Sequence, residues 1–192
     1  MPSPYSAKVR MAARFLELDV ELVPVATADK PDVLLESNPL GKIPTLLLDD
    51  GTAVFDSRAI MQELNRQRRN RLYPANGEKR RAAETLEALA DGMCDAMLAI
   101  VYEKRMRPEE KWHEPWQDAQ WEKVERALDH LEQFPPRVTS RLTGGQFGLA
   151  AALGYADLRL GDRQWSRGRP KLRRFLTRFM ERFEGWDELR PQ

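Results

Sequence analysis

Two serines stand at the start of a predicted helix near the beginning of the chain. Ser3 and Ser6 flank Pro4 and Tyr5, and apolar residues then recur at helical spacing, which predicts a helix over residues 7–18. A helix N-terminus presents unpaired N–H groups and partial positive charge, so it favours an anion such as a thiolate. A plain N-cap is the simpler interpretation, and we favour it for Ser6 taken alone.

A second candidate is the segment 38–45, Asn-Pro-Leu-Gly-Lys-Ile-Pro-Thr. Pro44 directly precedes an apolar strand, where it cannot donate a hydrogen bond to the ladder. The Ile43–Pro44 bond is therefore a candidate for the cis form, in which the N–H and C=O of Ile43 would be exposed to pair with an extended peptide. A trans turn is the commoner alternative.

The third candidate is the pair Asp56-Ser57, which comes directly before a predicted helix over residues 58–68. The hydroxyl and amides that cap a helix can also hold a ligand carboxylate. Asp56 could accept the ammonium group of the same ligand. Taken alone, the pair is better explained as a helix cap.

Composition and charge exclude several classes of protein. The 192 residues carry 31 basic and 30 acidic side chains, so the net charge is +1 and a polyanionic partner is not the default. Residues 77–134 carry a net −5 and residues 135–192 a net +6. We interpret the basic segment as the outer face of an amphipathic helix rather than a nucleic-acid site.

Cysteine and histidine are too few for several kinds of site. Cys94 is the single cysteine, which excludes an intrachain disulfide, and with only two histidines a structural zinc site is not expected. No apolar run reaches the ~20 residues of a membrane span, and the first residues lack an apolar signal stretch. We therefore expect a cytoplasmic protein without metal, nucleic-acid or membrane partners.

Pro74 to Gly77 divides the chain into two compositions. Before this linker the pattern is mixed: helices over 7–18, 31–36 and 58–68, a strand over 20–25, and a hairpin of strands 45–48 and 53–55 across Asp-Gly. After it the pattern is all-α, with helices over 79–106, around 121–131, over 149–160 and from 172 onward. We assign domains to residues 1–73 and 78–192.

Taken together, the order and spacing of the three motifs resemble the glutathione S-transferase family. The resemblance is to bacterial members with Ser or Cys at the N-terminal site. It runs through SPYSAKVR, NPLGKIPTL and the Asp-Ser pair into the helical half, where the stretches 107–132 and 152–159 are similar to bacterial members. It implies an α+β protein of two domains, a thioredoxin-like domain followed by an all-helical one, and a homodimer. The family normally has a strand before the Ser-Pro turn, so we expect either that the start shown here is short or that the sheet lacks its first strand.

The resemblance also gives the motifs roles around glutathione, which would be a co-substrate. Ser3 would be catalytic, donating a hydrogen bond to the sulfur. Glutathione would further be bound by the backbone of Ile43 across cis-Pro44, by Asp56 and Ser57 at the γ-glutamyl end, and by Lys42 at a carboxylate. A small hydrophobic electrophile would lie between the domains near Tyr5, Tyr102, Met106, Trp112 and Trp116. Interdomain packing explains these aromatic residues equally well.

The implied activity is a detoxifying glutathione transferase that conjugates the thiolate to an electrophile, and we expect turnover to be weak and glutathione binding to be more robust. The alternative is a non-catalytic, glutathione-binding or chaperone-like member. A thiol reductase would need a cysteine at the position of Ser3 or Ser6, and Cys94 is expected to be buried in a helix.

Two expectations concern the helical half. The family's core helix usually opens with Ser or Thr, with an Asp three residues on, whereas this chain has Gly148 and Ala151 there. Ala151 cannot form such a cap, so we expect a weakened start of the helix over 149–160. Apolar residues beyond one face of the long helix predict that it meets the partner subunit, namely Met93, Met97, Ala99 and Val101.

Overall fold

The first helix begins earlier than the sequence analysis places it, in a computed structural model that describes residues 2–192. Helix α1 spans Pro4–Phe15, three residues earlier than predicted at each end. Ser3 caps it, and Pro4 occupies the first helical position, where its missing N–H costs nothing. Leu16 is the C-cap of the helix, and Glu17 after it has a φ of 56°, the left-handed conformation that commonly closes helices.

The predicted strand over residues 20–25 is wrong: this segment contains no strand. The segment follows the end of α1 and has no regular secondary structure. Its side chains Val20, Leu22 and Val23 are about half exposed. A strand is defined by backbone hydrogen bonds to a neighbour, and among residues 2–192 the only ladder joins two other segments. The β-branched composition of 20–25 therefore has no partner strand to act on.

The remainder of the first domain follows the predicted order. A 3₁₀ turn at Thr27–Asp29 precedes α2 at Asp32–Ser37. Strands β1 at Leu46–Leu47 and β2 at Ala53–Val54 pair antiparallel, which confirms the hairpin across the Asp-Gly turn. Helix α3 spans Ser57–Gln67 and follows β2 almost directly.

The second half of the chain is helical, as predicted, and its first helix begins at Gly77, the last residue of the predicted linker. The helices are α4 at Gly77–Met106, α5 at Glu114–Gln133, α6 at Gly144–Arg159, α7 at Pro170–Arg182 and α8 at Trp186–Leu189. Short 3₁₀ turns at Glu109–Lys111 and Gly161–Arg163 connect them. None of the helices found in residues 2–192 is both long and apolar enough to span a bilayer.

Helix α6 is the centre of the core, and its start corrects our expectation of a lost cap. It begins at Gly144, not Leu149, so Ala151 lies in its middle. The side chain of Gln146 accepts a hydrogen bond from the N–H of Thr143 at 2.8 Å, which is the reciprocal half of a capping box. The sequence pattern does not predict this start, because three glycines weaken the helical periodicity there, namely Gly144, Gly145 and Gly148.

The long helix α4 buries, within the chain itself, two methionines that the sequence analysis places at the contact with a partner subunit. Met93 and Met97 are 3% and 0% exposed within the chain itself, so they need no partner to cover them. Their placement in the dimer contact is therefore wrong. The helix runs between α5 and α6, and it is surrounded closely enough to bury apolar residues on more than one face.

Candidate functional site

The turn at the start of α1 places a hydroxyl beside free helix N–H groups. The oxygen of Ser3 accepts a hydrogen bond from the N–H of Ser6 at 3.2 Å, so the helix cap is Ser3, whereas the sequence analysis favours Ser6, which lies inside the helix. Among the described residues, this hydroxyl acts as an acceptor and not as a donor. Ser6 is 4% exposed, and its hydroxyl has no partner among residues 2–192. The half-buried hydroxyl of Ser3 therefore has a proton available for an anion at this end of the helix, whereas the hydroxyl of Ser6 is enclosed by the protein.

The segment 38–45 is organised by an asparagine that the sequence analysis did not single out. Asn38 is 2% exposed, and its amide donates to the carbonyl of Lys42 at 2.9 Å and to the hydroxyl of Thr45 at 3.2 Å. Its side-chain oxygen accepts from the N–H of Leu40 at 3.0 Å. The Asn-Pro dipeptide was the available signal, because Asn side chains readily bond to backbone two residues on.

These bonds fix the loop that carries three of the predicted glutathione contacts. The Ile43–Pro44 peptide bond is cis, as predicted. Ile43 and Pro44 are half-buried, while Lys42 is exposed, so its ammonium can reach a ligand from the rim. Gly41 has a φ of 59°, a left-handed conformation that a side chain at this position would strain.

Asp56 and Ser57 stand at the N-terminus of α3, where β2 delivers the chain. A carboxylate oxygen of Asp56 accepts from the N–H of Arg58 at 2.9 Å, which makes Asp56 the helix cap. Asp56 is exposed, whereas Ser57 is 3% exposed. The site therefore offers an exposed negative charge directly beside the positive end of a helix.

A row of carboxylates on α4 meets the first domain, and the sequence analysis missed it. Asp95 accepts from the hydroxyl of Tyr5, and Glu87 accepts from the buried hydroxyl of Tyr73. Asp91 accepts from the guanidinium of Arg58 at 2.9 Å. The signal was the spacing of 84, 87, 91 and 95, which places four acidic residues on one helix face.

Tyr5 is engaged by this row and not by the start of its own helix. Burial raises the pKa of its phenol well above the usual range, and the hydrogen bond to Asp95 raises it further. The phenol is therefore protonated at neutral pH and donates its proton to Asp95. Of the three hydroxyls near the start of α1, that of Ser3 is therefore the one with an accessible donor to offer a sulfur.

The five predicted second-substrate residues lie on four different elements. Tyr5 is in α1, and Trp112 is in the loop before α5, where its indole N–H donates to the carbonyl of Arg107 at 3.0 Å. Tyr102 and Met106 lie on the last turns of α4, and Trp116 lies in the first turn of α5; all three are at least 39% exposed. The structure places Trp112, but none of the other four, in the wall of an open depression with His113 and its neighbours.

Cys94 is placed where a reactive thiol would not be. It is 3% exposed inside α4, and burial raises the pKa of its thiol well above the usual range. A thiol that stays protonated is a poor nucleophile, which argues against a thiol-reductase site. Among residues 2–192 no group of three or more His, Cys, Asp or Glu side chains is arranged to hold a metal ion.

Both halves of the chain match models of one family. Residues 2–67 match the glutathione S-transferase N-terminal domain, and residues 114–178 match the glutathione S-transferase C-terminal domain. A glutathione transferase family member from Pseudomonas fluorescens, solved with bound glutathione, is 33% identical. The match covers 100% of this chain and 96% of that one, with a TM-score of 0.86. The chain belongs to the glutathione S-transferase family.

Other relatives of this family agree over the same length. A glutathione S-transferase from Methylobacillus flagellatus, solved with glutathione bound, is 34% identical with a TM-score of 0.91, covering 100% of this chain and 96% of that one. The Escherichia coli protein named "Uncharacterized GST-like protein YibF" is 27% identical over 184 residues, 94% of this chain and 91% of that protein. The two-domain glutathione S-transferase fold, thioredoxin-like and then helical, therefore extends over the whole chain.

Proposed function

We propose that the protein is a glutathione transferase that conjugates the glutathione thiolate to a small hydrophobic electrophile. The observation that carries the proposal is the Ser3 turn: a hydroxyl with a free proton beside the positive end of α1. A thiolate at this place would gain one hydrogen bond and the field of the helix. The glutathione bound to similar family members supports glutathione as the thiol.

The other contacts follow from the chemistry of the residues. The exposed carboxylate of Asp56 suits the ammonium of the γ-glutamyl end, and Ser57 with the N-terminus of α3 suits its carboxylate. The backbone of Ile43, held next to Pro44 by the Asn38 network, suits the cysteinyl part. Lys42 suits the glycine carboxylate from the rim of the site.

The electrophile would lie between the domains, beside the thiol. Tyr5 and its partner Asp95 mark the boundary between α1 and α4 there. Tyr102 follows Asp95 by seven residues, two turns or about 10 Å along the same face of α4. Tyr102, Met106, Trp112 and Trp116 would supply an apolar wall beyond Tyr5, suited to a flat, apolar electrophile.

The proposal includes assembly and location. We expect a homodimer in which the basic residues from Arg66 to Arg71, at the end of the first domain, lie near the acidic segment 77–134 of the partner. Light scattering at micromolar concentration tests this, and a monomer mass would contradict it. A cytoplasmic role in detoxification suits the reaction, because the cytosolic glutathione pool is kept reduced.

Glutathione titration and conjugation kinetics test the function. Hydrogen bonds to charged groups contribute roughly 1.5–3 kcal/mol, so Ser3→Ala should raise the pKa of the bound thiol by about one to two units. It should lower kcat/KM at neutral pH about tenfold or more while changing affinity little. The pH dependence of thiolate absorbance reports the pKa directly. Unchanged activity and pKa in Ser3→Ala would contradict the role of Ser3.

A matched variant separates binding from capping at α3. Asn caps helices about as well as Asp, so Asp56→Asn should keep the helix and remove only the charge. We expect glutathione affinity to fall about tenfold, the difference between a charge-assisted and a neutral hydrogen bond. Binding of glutathione with no conjugation by the wild-type protein would identify the non-catalytic alternative.

A further inference from the structure

A buried lysine connects α1 to the helical domain. The ammonium of Lys8 is 1% exposed and lies 3.1 Å from an oxygen of Glu87 and 2.8 Å from one oxygen of Asp91. The second oxygen of Asp91 is 3.1 Å away. An ammonium has three N–H donors, and three carboxylate oxygens surround this one. The ammonium of Lys8 is therefore held by carboxylates on two successive turns of α4.

The same carboxylate group also connects α3. Asp91 accepts from Arg58 at 2.9 Å while it accepts from Lys8. Lys8 follows Ser3 by five residues, and Arg58 follows Asp56 by two. The helices that Ser3 and Asp56 cap are thus both bound to Asp91 near their N-termini. Any slide of α1 along α4 would change the separation of the two proposed glutathione contacts.

Stability alone is a poor reason for this arrangement. Burying an ammonium and two carboxylates costs several kcal/mol in desolvation, and their attraction often does no more than compensate. Apolar side chains of similar size commonly hold two helices together at least as strongly as a buried ion pair does. What an ion pair adds is direction, because its hydrogen bonds are satisfied at one register of the two helices and broken at others.

We propose that Lys8 is a positioning residue, which holds Ser3 at the distance and angle that thiolate stabilisation needs. The proposal rests on the proposed function, because it acts through Ser3. Lys8 itself touches no substrate. Its clamp on Glu87 and Asp91 sets where α1 begins relative to α3. A displacement of reacting groups by about 1 Å can cost up to a hundredfold in rate, so loss of the clamp should be visible in turnover.

The test compares four variants of the full-length protein. Lys8→Met removes the clamp and leaves two buried carboxylates with less compensation, so it can lose stability as well as position. Lys8→Met with Glu87→Gln removes one charge of each sign and keeps an acceptor for Tyr73. Lys8→Arg keeps the charge. Arg14→Met is the matched control, because Arg14 lies on the same helix and pairs with Glu188 at the exposed end, 3.0 Å apart.

The readouts are kcat, the dissociation constant of glutathione and the pKa of its bound thiol, each measured below the onset of thermal unfolding. We expect the charge-balanced double variant to lower kcat about tenfold and to raise the thiol pKa by about one unit, with affinity changed less than about threefold. Lys8→Arg keeps the positive charge, so it should lower kcat less than Lys8→Met does. Arg14→Met should behave as wild type.

A double-mutant cycle with Ser3→Ala decides whether Lys8 acts through Ser3. If it does, adding the charge-balanced pair to Ser3→Ala leaves the thiol pKa where Ser3→Ala alone puts it. An equal further rise in that background would overturn the proposal, as would an unchanged pKa in the pair alone. If Ser3→Ala itself leaves the pKa unchanged, the role of Ser3 in the proposed function fails, and the positioning role fails with it.

Discussion

The contact between α4 and α6 predicts opposite effects for the same substitution at two glycines. Gly145, in the first turn of α6, is buried, and a Cβ atom built on it would lie 2.4 Å from the carbonyl oxygen of Ala83 and 2.8 Å from Cβ of Leu86. Gly92, in the middle of α4, is exposed, and a Cβ there meets no atom within 4 Å. Neither glycine has a positive φ.

The magnitudes follow from these distances. Alanine is a better helix former than glycine by about 0.8–1 kcal/mol, so Gly92→Ala should stabilise the protein by about that amount. At Gly145 the same gain is opposed by a clash with backbone, which can be relieved only by moving α6 away from α4. Such overpacking costs about 1–3 kcal/mol, and a backbone carbonyl cannot rotate away as a side chain can. Gly145→Ala should therefore be destabilising by about 1–2 kcal/mol net.

Urea unfolding followed by tryptophan fluorescence and far-UV circular dichroism measures both effects, and coincident transitions license a two-state treatment. For a chain of this size each kcal/mol corresponds to about 2–4 °C in Tm. The two variants should therefore move Tm in opposite directions. If Gly145→Ala unfolds at or above the wild-type midpoint, the close helix approach does not require glycine. If Gly92→Ala is destabilising, the space beside Gly92 on the exposed face of α4 is occupied, which contradicts the structure.

Two further predictions concern the helical domain. Gln146→Ala should be destabilising by about 1–3 kcal/mol, because it leaves the N–H of Thr143 without its acceptor. Urea unfolding checks this, and a change below about 0.5 kcal/mol would contradict it. Burial raises the pKa of Asp157, so its favourable contribution is present at low pH and lost as pH rises through the folded-state value. Asp157→Asn, which can still accept from Trp165, should therefore gain in Tm relative to wild type between pH 4 and pH 7; a difference that is constant or reversed with pH would contradict this.

Much of the local structure was determined by the sequence itself. Ser3, Asp56 and the Asp-Gly turn act on backbone within a few residues, so their effects do not depend on distant packing. The helical periodicity of the second half is local in the same way, and it predicted α4 to α7 in order, although α5 and α6 begin several residues earlier than predicted. The motifs that carry the family resemblance are also short, which is why the family and the two-domain fold could be inferred before the structure.

Only the tertiary structure decided features that depend on a distant neighbour. The segment 20–25 has the composition of a strand but no partner in the described chain, so it forms none. The glycines that begin α6 lower its helical propensity, and only the close approach of α4 explains them. Met93 and Met97 are buried within the chain itself, and the sequence pattern could not distinguish this burial from burial against a partner subunit. The Lys8 clamp joins residues separated by 79 and 83 positions, and no local pattern predicts which carboxylate a buried ammonium will meet.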